Sequence, residues 1–476
     1  MADHPHEYQY IIKKFLLVSH TGLEIDIWRQ VVQFSFEESM AGRALHGTVT
    51  MVESLDLPTL LPMIGEERLK VSFTRLDENT GAELDPVQFD LPIYTLFNKN
   101  QEGKSLKRQT YSFSFCSDSV FKNINSVVSK PFKNLAYSDM VREIYDQYLK
   151  VDDKQIEVEP TAGVMNYTVQ NSRAFKAIDL ICKRCKSADA RNGSFYFFYE
   201  DREKFNFVSL RGLLNKGLLD KTNIRKLYYV PKNYPTSDAR NDISVSMYNA
   251  EEVGGSQGGF DILKSFLTGE VSSSILLVDP IRRSFSFKTL DLRGEDAKQE
   301  IDQKVSSPAP TEFLANSDFS SISGEGSKKP WTNNSKIFVN PRANMRVMIG
   351  DSGQDEQEYI TSRDPTIRPY SPEEFALQKT AEKAQFHRNV ITTTIPGDPK
   401  IKLGSLVNFQ IPERTGAVGE NAPEELDKYM QGYYIVVGIS HTITKDRYKM
   451  HLELTRSSIH SDIKPRDPFQ IYVSGK

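Results

Sequence analysis

Apolar and polar positions alternate at both ends of the chain. Toward the C-terminus, Val407, Phe409 and Ile411 alternate with polar neighbours, as do Tyr434, Val436 and Gly438, and then Met450, Leu452 and Leu454. Pro396-Gly397-Asp398 and Gln431-Gly432 punctuate these runs. A period of two between such turns predicts an antiparallel meander or small barrel over Ile395–Arg456. The first 116 residues read the same way. Strands are predicted at Ile11–Val18, Leu23–Trp28, Val31–Phe36, Leu45–Val52, Leu69–Phe73, Gln88–Phe97 and Tyr111–Cys116. Thr21-Gly22, Ala41-Gly42 and Asn79-Thr80-Gly81 fall between them as turns. Short strands at this spacing predict a sandwich or barrel.

From Ser117 the period becomes helical. Phe121, Ile124, Val127 and Val128 are helically spaced, and so are Met140, Ile144, Tyr145 and Tyr148. Asn171-Ser172 reads as an N-cap for an amphipathic helix over Ala174–Cys182, with a strand predicted at Met165–Val169. Phe195–Tyr199 and Phe205–Leu210 flank the charged turn Glu200–Lys204, which is a hairpin signature. Further strands are predicted at Asp242–Tyr248, Ile275–Val278 and Ser284–Phe287. Residues 305–335 are rich in Ser, Pro and Asn and show no period, and Asp351–Glu358 reads as a solvated acidic face. Ser371-Pro372-Glu373-Glu374 carries a helix-start signal for a helix running to about Arg388. The opening and closing β units match in strand length and number if Phe205–Leu210 and Asp242–Tyr248 join the closing meander. That pattern suggests a structural repeat without a sequence repeat.

Composition narrows the partners and the compartment. A chain of 476 residues exceeds one ordinary core and implies roughly three to four units. A formal net charge of -3 argues against general nucleic-acid binding through a basic surface. Three cysteines, Cys116, Cys182 and Cys185, cannot build a disulfide framework and fit a reducing cytosol. The first residues carry no basic-then-apolar secretory pattern. No apolar run approaches the roughly 20 residues of a membrane span, so a protein soluble when made is expected.

Candidate chemistry is sparse. Gly254-Gly255-Ser256-Gln257-Gly258 matches the hydrolase nucleophile elbow in letters, but no series of parallel strands and helices surrounds it, and it reads as a flexible linker. Cys182-Lys183-Arg184-Cys185 lacks the further ligands of a zinc site, and Cys182 extends the apolar stripe of Ile178 and Ile181, so both read as core thiols. His441 sits in an alternating strand without a Ser-Asp partner pattern and reads as a surface or pore-facing side chain. His4 and His6 sit near the N-terminus and could hold metal adventitiously. Trp28 ends a strand and reads as core. Trp331, in the polar segment Lys328–Ser335, is either a partner anchor or tucked onto its own unit. No catalytic residue, cofactor or metal site is expected.

The order of segments carries more than any one motif. A β unit is followed by helix-strand-helix, FYFFYEDREKFNFVSL, ILLVDPIRRSFSFKTLD, IPGDPKIKLGSLVNFQIPE and DKYMQGYYIVVGISHTI. This order resembles the baseplate hub proteins of contractile phage tails and, more distantly, the N-terminal hub part of type VI secretion spike proteins. The resemblance implies an α+β, mainly β chain with two related antiparallel β-barrel tube domains. The first would span 1–116. An α+β domain would follow at 117–204, and the second barrel would be split over 205–250 and 389–458. A loop-rich insertion would fill 251–388, and a tail would occupy 459–476.

The resemblance also implies a non-enzymatic homotrimer. Its ring would adapt a three-fold central spike to a six-fold tail tube, contact the tube or tube-initiator protein and baseplate wedge proteins, and pass viral DNA without binding it specifically. It would be made in the host cytoplasm and end in the virion tail. The alternatives are a tail-associated cell-wall hydrolase and the hub of a related contractile injection system.

Overall fold

The computed structural model describes residues 10–61, 63–76, 83–101, 108–151, 154–189, 193–219, 224–229, 249–250, 252–254, 267, 272–279, 284–291, 345–349, 376–386, 389–411 and 432–456. The opening strands are β1 (Tyr10–Val18), β2 (Glu24–Asp26), β3 (Val31–Ser39), β4 (His46–Glu53), β5 (Arg68–Leu76), β6 (Glu83–Gln101) and β7 (Gln109–Cys116), with a one-turn helix α1 (Leu57–Leu60) between β4 and β5. The closing strands are β19 (Asn389–Pro396), β20 (Leu406–Gln410), β21 (Gly432–Thr444) and β22 (Tyr448–Arg456). With β13 (Arg225–Tyr229), β14 (Asn249–Ala250) and β15 (Glu252–Gly254), the two groups join one 14-stranded sheet, and the protein is mainly β with large antiparallel sheets.

The joint is β3 against β21, antiparallel, with His441 opposite Phe36 and Ile443 opposite Phe34. One apolar core runs through it. Phe15, Phe34, Phe36, Phe73 and Phe115 from the opening strands share it with Val407, Phe409, Ile443, Met450 and Leu452 from the closing ones. The sheet is crowded here. A Cβ on Gly47 of β4 would lie 2.3 Å from the Ser35 carbonyl oxygen and 2.4 Å from the Phe115 ring.

Strand β6 is longer than its sequence pattern predicts. Glu83–Pro92 pairs with β5, and Ile93–Gln101 pairs with β7. The strand therefore passes its pairing from β5 to β7 along its length, within the one sheet. The predicted strand Leu23–Trp28 shortens to β2, and Trp28 opens a 3₁₀ turn, half-buried against Phe15 and Tyr10.

The α+β unit holds α2 (Asp118–Asn125), β8 (Val128–Leu135), α3 (Tyr137–Ile144) continued as a π-turn through Leu149, β9 (Gln155–Val158), β10 (Met165–Ser172), α4 (Ala174–Cys182), β11 (Tyr196–Glu200), β12 (Lys204–Ser209) and α5 (Leu210–Leu219). Its own core gathers Met140, Ile144, Tyr145, Ile178, Ile181, Phe198 and Phe205. The helical spacing around Phe121 holds only to Asn125. Phe121, Ile124 and Val127 face solvent, and Val128 begins β8. Asn171-Ser172 is not the cap of α4, because β10 runs through Ser172 and the N-cap is Arg173 without a side-chain bond. Asn123 of α2 supplies the missing acceptor, with its Oδ1 receiving the Phe175 N–H at 2.9 Å.

Strand β12 pairs antiparallel with β11 and parallel with β9, and does not join the closing meander. Its hairpin turn is the nearest available partner, and both of its faces are buried. Phe205 and Phe207 enter the smaller core, and Val208 enters the large one.

Beyond these lie β16 (Ser272–Asp279), β17 (Ser284–Asp291) and β18 (Met345–Ile349), which form a three-stranded sheet of order β17-β16-β18, and α6 (Ala376–Phe386). The predicted strands at 275–278 and 284–287 fall within β16 and β17. The predicted strand 242–248, the acidic run 351–358, the aperiodic stretch 305–335 and the helix-start signal 371–374 lie outside the described residues. Among the described residues no helix is long and apolar enough to cross a membrane.

Candidate functional site

Five consecutive charged residues, Glu200–Lys204, make the β11–β12 turn, and the first three each do a different job. Asp201 builds the turn: its Oδ1 accepts the Glu203 and Lys204 N–H groups, each at 2.7 Å, and its Oδ2 accepts Asn206 Nδ2 at 2.7 Å. Glu200 points to one side, fully buried. It accepts from Ser117 Oγ at 2.8 Å, the Leu45 N–H at 3.1 Å and Lys154 Nζ at 2.7 Å. Leu45 leads into β4 and Ser117 caps α2, so this one carboxylate ties the hairpin to the large sheet and to the first helix. Arg202 points to the other side. Its Nε lies 2.7 Å from Glu38 Oε1 of β3, and its Nη2 donates to the carbonyls of Pro399 at 3.1 Å and Ile401 at 2.7 Å.

Glu38 is also bonded by His441 Nε2 at 3.2 Å, and Tyr448 hydroxyl lies 2.9 Å from His441 Nδ1. The imidazole stacks on Phe36 with centroids 4.0 Å apart and planes 10° apart. Burial would raise the Glu38 carboxyl, but the Arg202 guanidinium, and then the His441 hydrogen bond, outweigh it and hold the group below its usual range. Burial drives His441 down to about 4 against the opposing pull of Glu38. The imidazole is therefore neutral at pH 7, and Arg202 is the counter-charge of Glu38. The tautomer that fits donates from Nε2 to Glu38 and accepts at Nδ1 from Tyr448.

A Glu–His–Tyr row invites a catalytic reading, but the geometry gives it a holding role. A general base must come within hydrogen-bond reach of the proton it removes. Glu38 and His441 have no exposed side-chain surface. What the cluster does is clamp the hairpin and the 399–401 segment onto β3, β21 and β22. Removing one partner of such a buried pair leaves an uncompensated charge, which costs about 3–5 kcal/mol.

Beside the clamp lies a cleft of about 1220 Å³ between β6, the β9–β12 sheet, α5 and residues 399–406. Its charged walls are cross-linked. Glu157 meets Lys204 and, at 2.8 Å, Lys216; Glu203 meets Lys402 at 2.7 Å. Glu159 accepts from Ser187 Oγ at 2.7 Å, the Ser209 N–H at 2.6 Å and Ser209 Oγ at 2.9 Å. Carboxylates held this way serve the wall of the cleft.

The two cysteines of the C-x-x-C are buried free thiols in the smaller core, as the sequence suggests. Burial pushes Cys182 up to about 12 and Cys185 well above its ordinary value, so both stay protonated and unreactive. His441 corrects the sequence reading: it faces neither surface nor pore but the buried clamp. Trp28 is half-buried at the margin of the large core. Trp331, His4, His6 and Gly255–Gly258 lie outside the described residues. Sequence inspection missed Glu38 and Glu200, although a signal was present. Phe34-x-Phe36-x-Glu38 and Tyr196-x-Phe198-x-Glu200 each place a carboxylate next on an otherwise apolar, inward-facing row.

No family model matches the chain, and no curated protein matches it. Among solved structures it is similar to a tail protein from Neisseria meningitidis MC58, at 10% identity over 95% of this chain and 98% of that one, with a TM-score of 0.46. It is also similar to the prophage MuSo2 43 kDa tail protein from Shewanella oneidensis, at 8% identity over 94% and 99%, with a TM-score of 0.48. An E. coli component of the type VI secretion system matches at 7% identity over 96% and 80%, with a TM-score of 0.37. These are similarities in chain course.

Proposed function

We propose that this chain is a structural baseplate hub of a contractile phage tail. The observation that carries the reading is the β3–β21 joint. Strands about 400 residues apart in sequence complete one sheet, in the segment order that resembles the hub family. The Glu200 and Arg202 contacts fasten the α+β unit to that sheet at two points. A body tied together through one core suits a part that bears load and has no need of a mobile active site.

In this reading residues 1–116 form the first tube domain, and 225–250 with 389–458 form the second. The α+β domain, which keeps β12 and α5 and so runs from 117 to 219, sits between them, and 251–388 is an insertion that reaches wedge proteins. Three copies close a ring with approximate six-fold symmetry between the three-fold spike and the six-fold tube. Its bore passes DNA past polar or acidic walls, since basic or apolar walls would retain it. The chain is made in the host cytoplasm and ends in the tail of the virion, with no catalytic task.

Negative-stain imaging of the purified chain, alone and with its spike, tests this. Rings with a central hole and three- or six-fold symmetry are expected. Solid particles under both conditions, together with clearing of purified peptidoglycan, would replace the hub with a cell-wall hydrolase acting in the cleft.

A further inference from the structure

Helix α6 joins the three-stranded sheet to the α+β unit mainly through polar groups. On one side it packs against β16 and β17. On the other, Lys379 Nζ donates to the carbonyl of Cys182, the last residue of α4. Glu382 reaches the residues just before β11. Its Oε2 accepts the Ser194 N–H at 3.1 Å and the Phe195 N–H at 2.9 Å, and its Oε1 lies 3.0 Å from Arg211 Nε of α5. The facing backbone makes room for it: Gly193 has φ 74°, and a Cβ there would lie 2.3 Å from Glu382 Oε1. Among the described side chains of α6, only Phe386 enters the large core, against Phe195 and Phe197.

Such a joint is balanced rather than glued. Docking strips water from Lys379 and Glu382, and the bonds gained roughly offset that loss, as for other buried charges. Burial accordingly holds Lys379 below the usual lysine pKa. A joint within one chain that rests on polar contacts and little apolar area behaves as a transient interface, for which relative motion is the expected state. The pivot is fixed at one end. Phe386 is held in the large core, its carbonyl accepts Thr455 Oγ1, and β19 follows at Asn389.

We propose that α6 is a latch that swings open about Phe386 as a unit, ahead of global unfolding, and uncovers the Cys182–Cys185 pair. Ala376 packs on the small core that holds both cysteines, and Lys379 holds the carbonyl of one of them. With α6 in place Cys182 is 8% exposed and Cys185 is fully buried. Lifting the helix returns both to water and to ordinary thiol reactivity. Cys116 ends β7 in the large sheet, opposite His46 of β4, and stays covered when α6 moves. The latch gives the sheet of β16, β17 and β18 two positions against the α+β unit. It concerns a joint within one chain and does not rest on the hub reading.

The test treats the full chain with N-ethylmaleimide in native buffer and follows each cysteine by mass spectrometry of its peptide. Cys182 and Cys185 are expected to react together, about tenfold faster or more than Cys116, which follows global unfolding. Glu382→Ala removes the acceptor of two N–H groups and the partner of Arg211. It is expected to speed both thiols by about tenfold and to leave Cys116 unchanged. Amide exchange in the unaltered chain is the second readout, and it decides the matter if that variant fails to fold: the Ser194 and Phe195 amides should open with the thiols and ahead of β12. One common rate for all three cysteines would overturn the latch. So would thiol rates that Glu382→Ala leaves unchanged, or Ser194 and Phe195 amides as protected as those of β12.

Discussion

Arg202 and Glu38 decide more at the residue scale than any surface group. Arg202→Met keeps the length of the side chain and removes its charge, leaving Glu38 buried beside a neutral imidazole. We expect a loss of about 3–5 kcal/mol in urea unfolding; a loss below about 1 kcal/mol would refute the clamp.

The same cluster sets the acid limit. The folded value of His441 is depressed from 6.5 to about 4, so between those values the unfolded chain binds the extra proton. The stability this contributes is complete above pH 6.5 and is lost as pH falls toward 4. Glu38, also depressed, adds a loss in the same direction below its ordinary value of 4.5. The thermal midpoint should therefore fall steadily from pH 7 to pH 4, and the fall between pH 6.5 and 5 should be smaller in His441→Gln. A wild-type midpoint flat over that upper window would contradict the neutral, buried histidine.

At the scale of elements, caps and close approaches are supplied across the chain. The α4 N-terminus takes its acceptor from Asn123, 52 positions away from Phe175. Asn123→Ala should cost about 1 kcal/mol, as loss of a local cap does, and should speed amide exchange at Phe175. Exchange unchanged at that amide would show that the bond does not hold the helix. Gly47 is fixed by space, since its backbone needs no unusual conformation but a methyl there meets the Ser35 carbonyl and the Phe115 ring. Gly47→Ala should destabilise by about 1–3 kcal/mol, as overpacking does, measured by denaturant midpoint. The length of β6 is another property of this scale: its polar end, Asn98-Lys99-Asn100, reads as loop and does bulge, with Asn98 at φ 55°, yet pairing with β7 resumes at Asn100 and Gln101.

At the scale of the molecule, the two β groups share one core. Each buries its apolar face against the other, so neither should persist alone. Calorimetry of the full chain should show residues 10–116 and 389–456 unfolding in one transition, with amide protection lost together in β4 and β22. Separate melting of the opening strands would break the single-core description.

The sequence by itself determined that the chain is mainly β, because period-two alternation is a local consequence of strand geometry and needs no knowledge of neighbours. It determined the hairpin at 195–210 and the buried thiols for the same reason, since each is written in adjacent residues. Only the tertiary structure decided that β12 leaves the closing meander for β9, that Asn123 caps α4, and that His441 is buried on Glu38 and Arg202. It also decided that Phe121 and Ile124, helically spaced, face outward. Those outcomes depend on which distant surfaces meet. Alternation states that a strand has two faces, but the partner on each face is chosen by packing and charge pairing across hundreds of residues, where one chain read in order carries no distance.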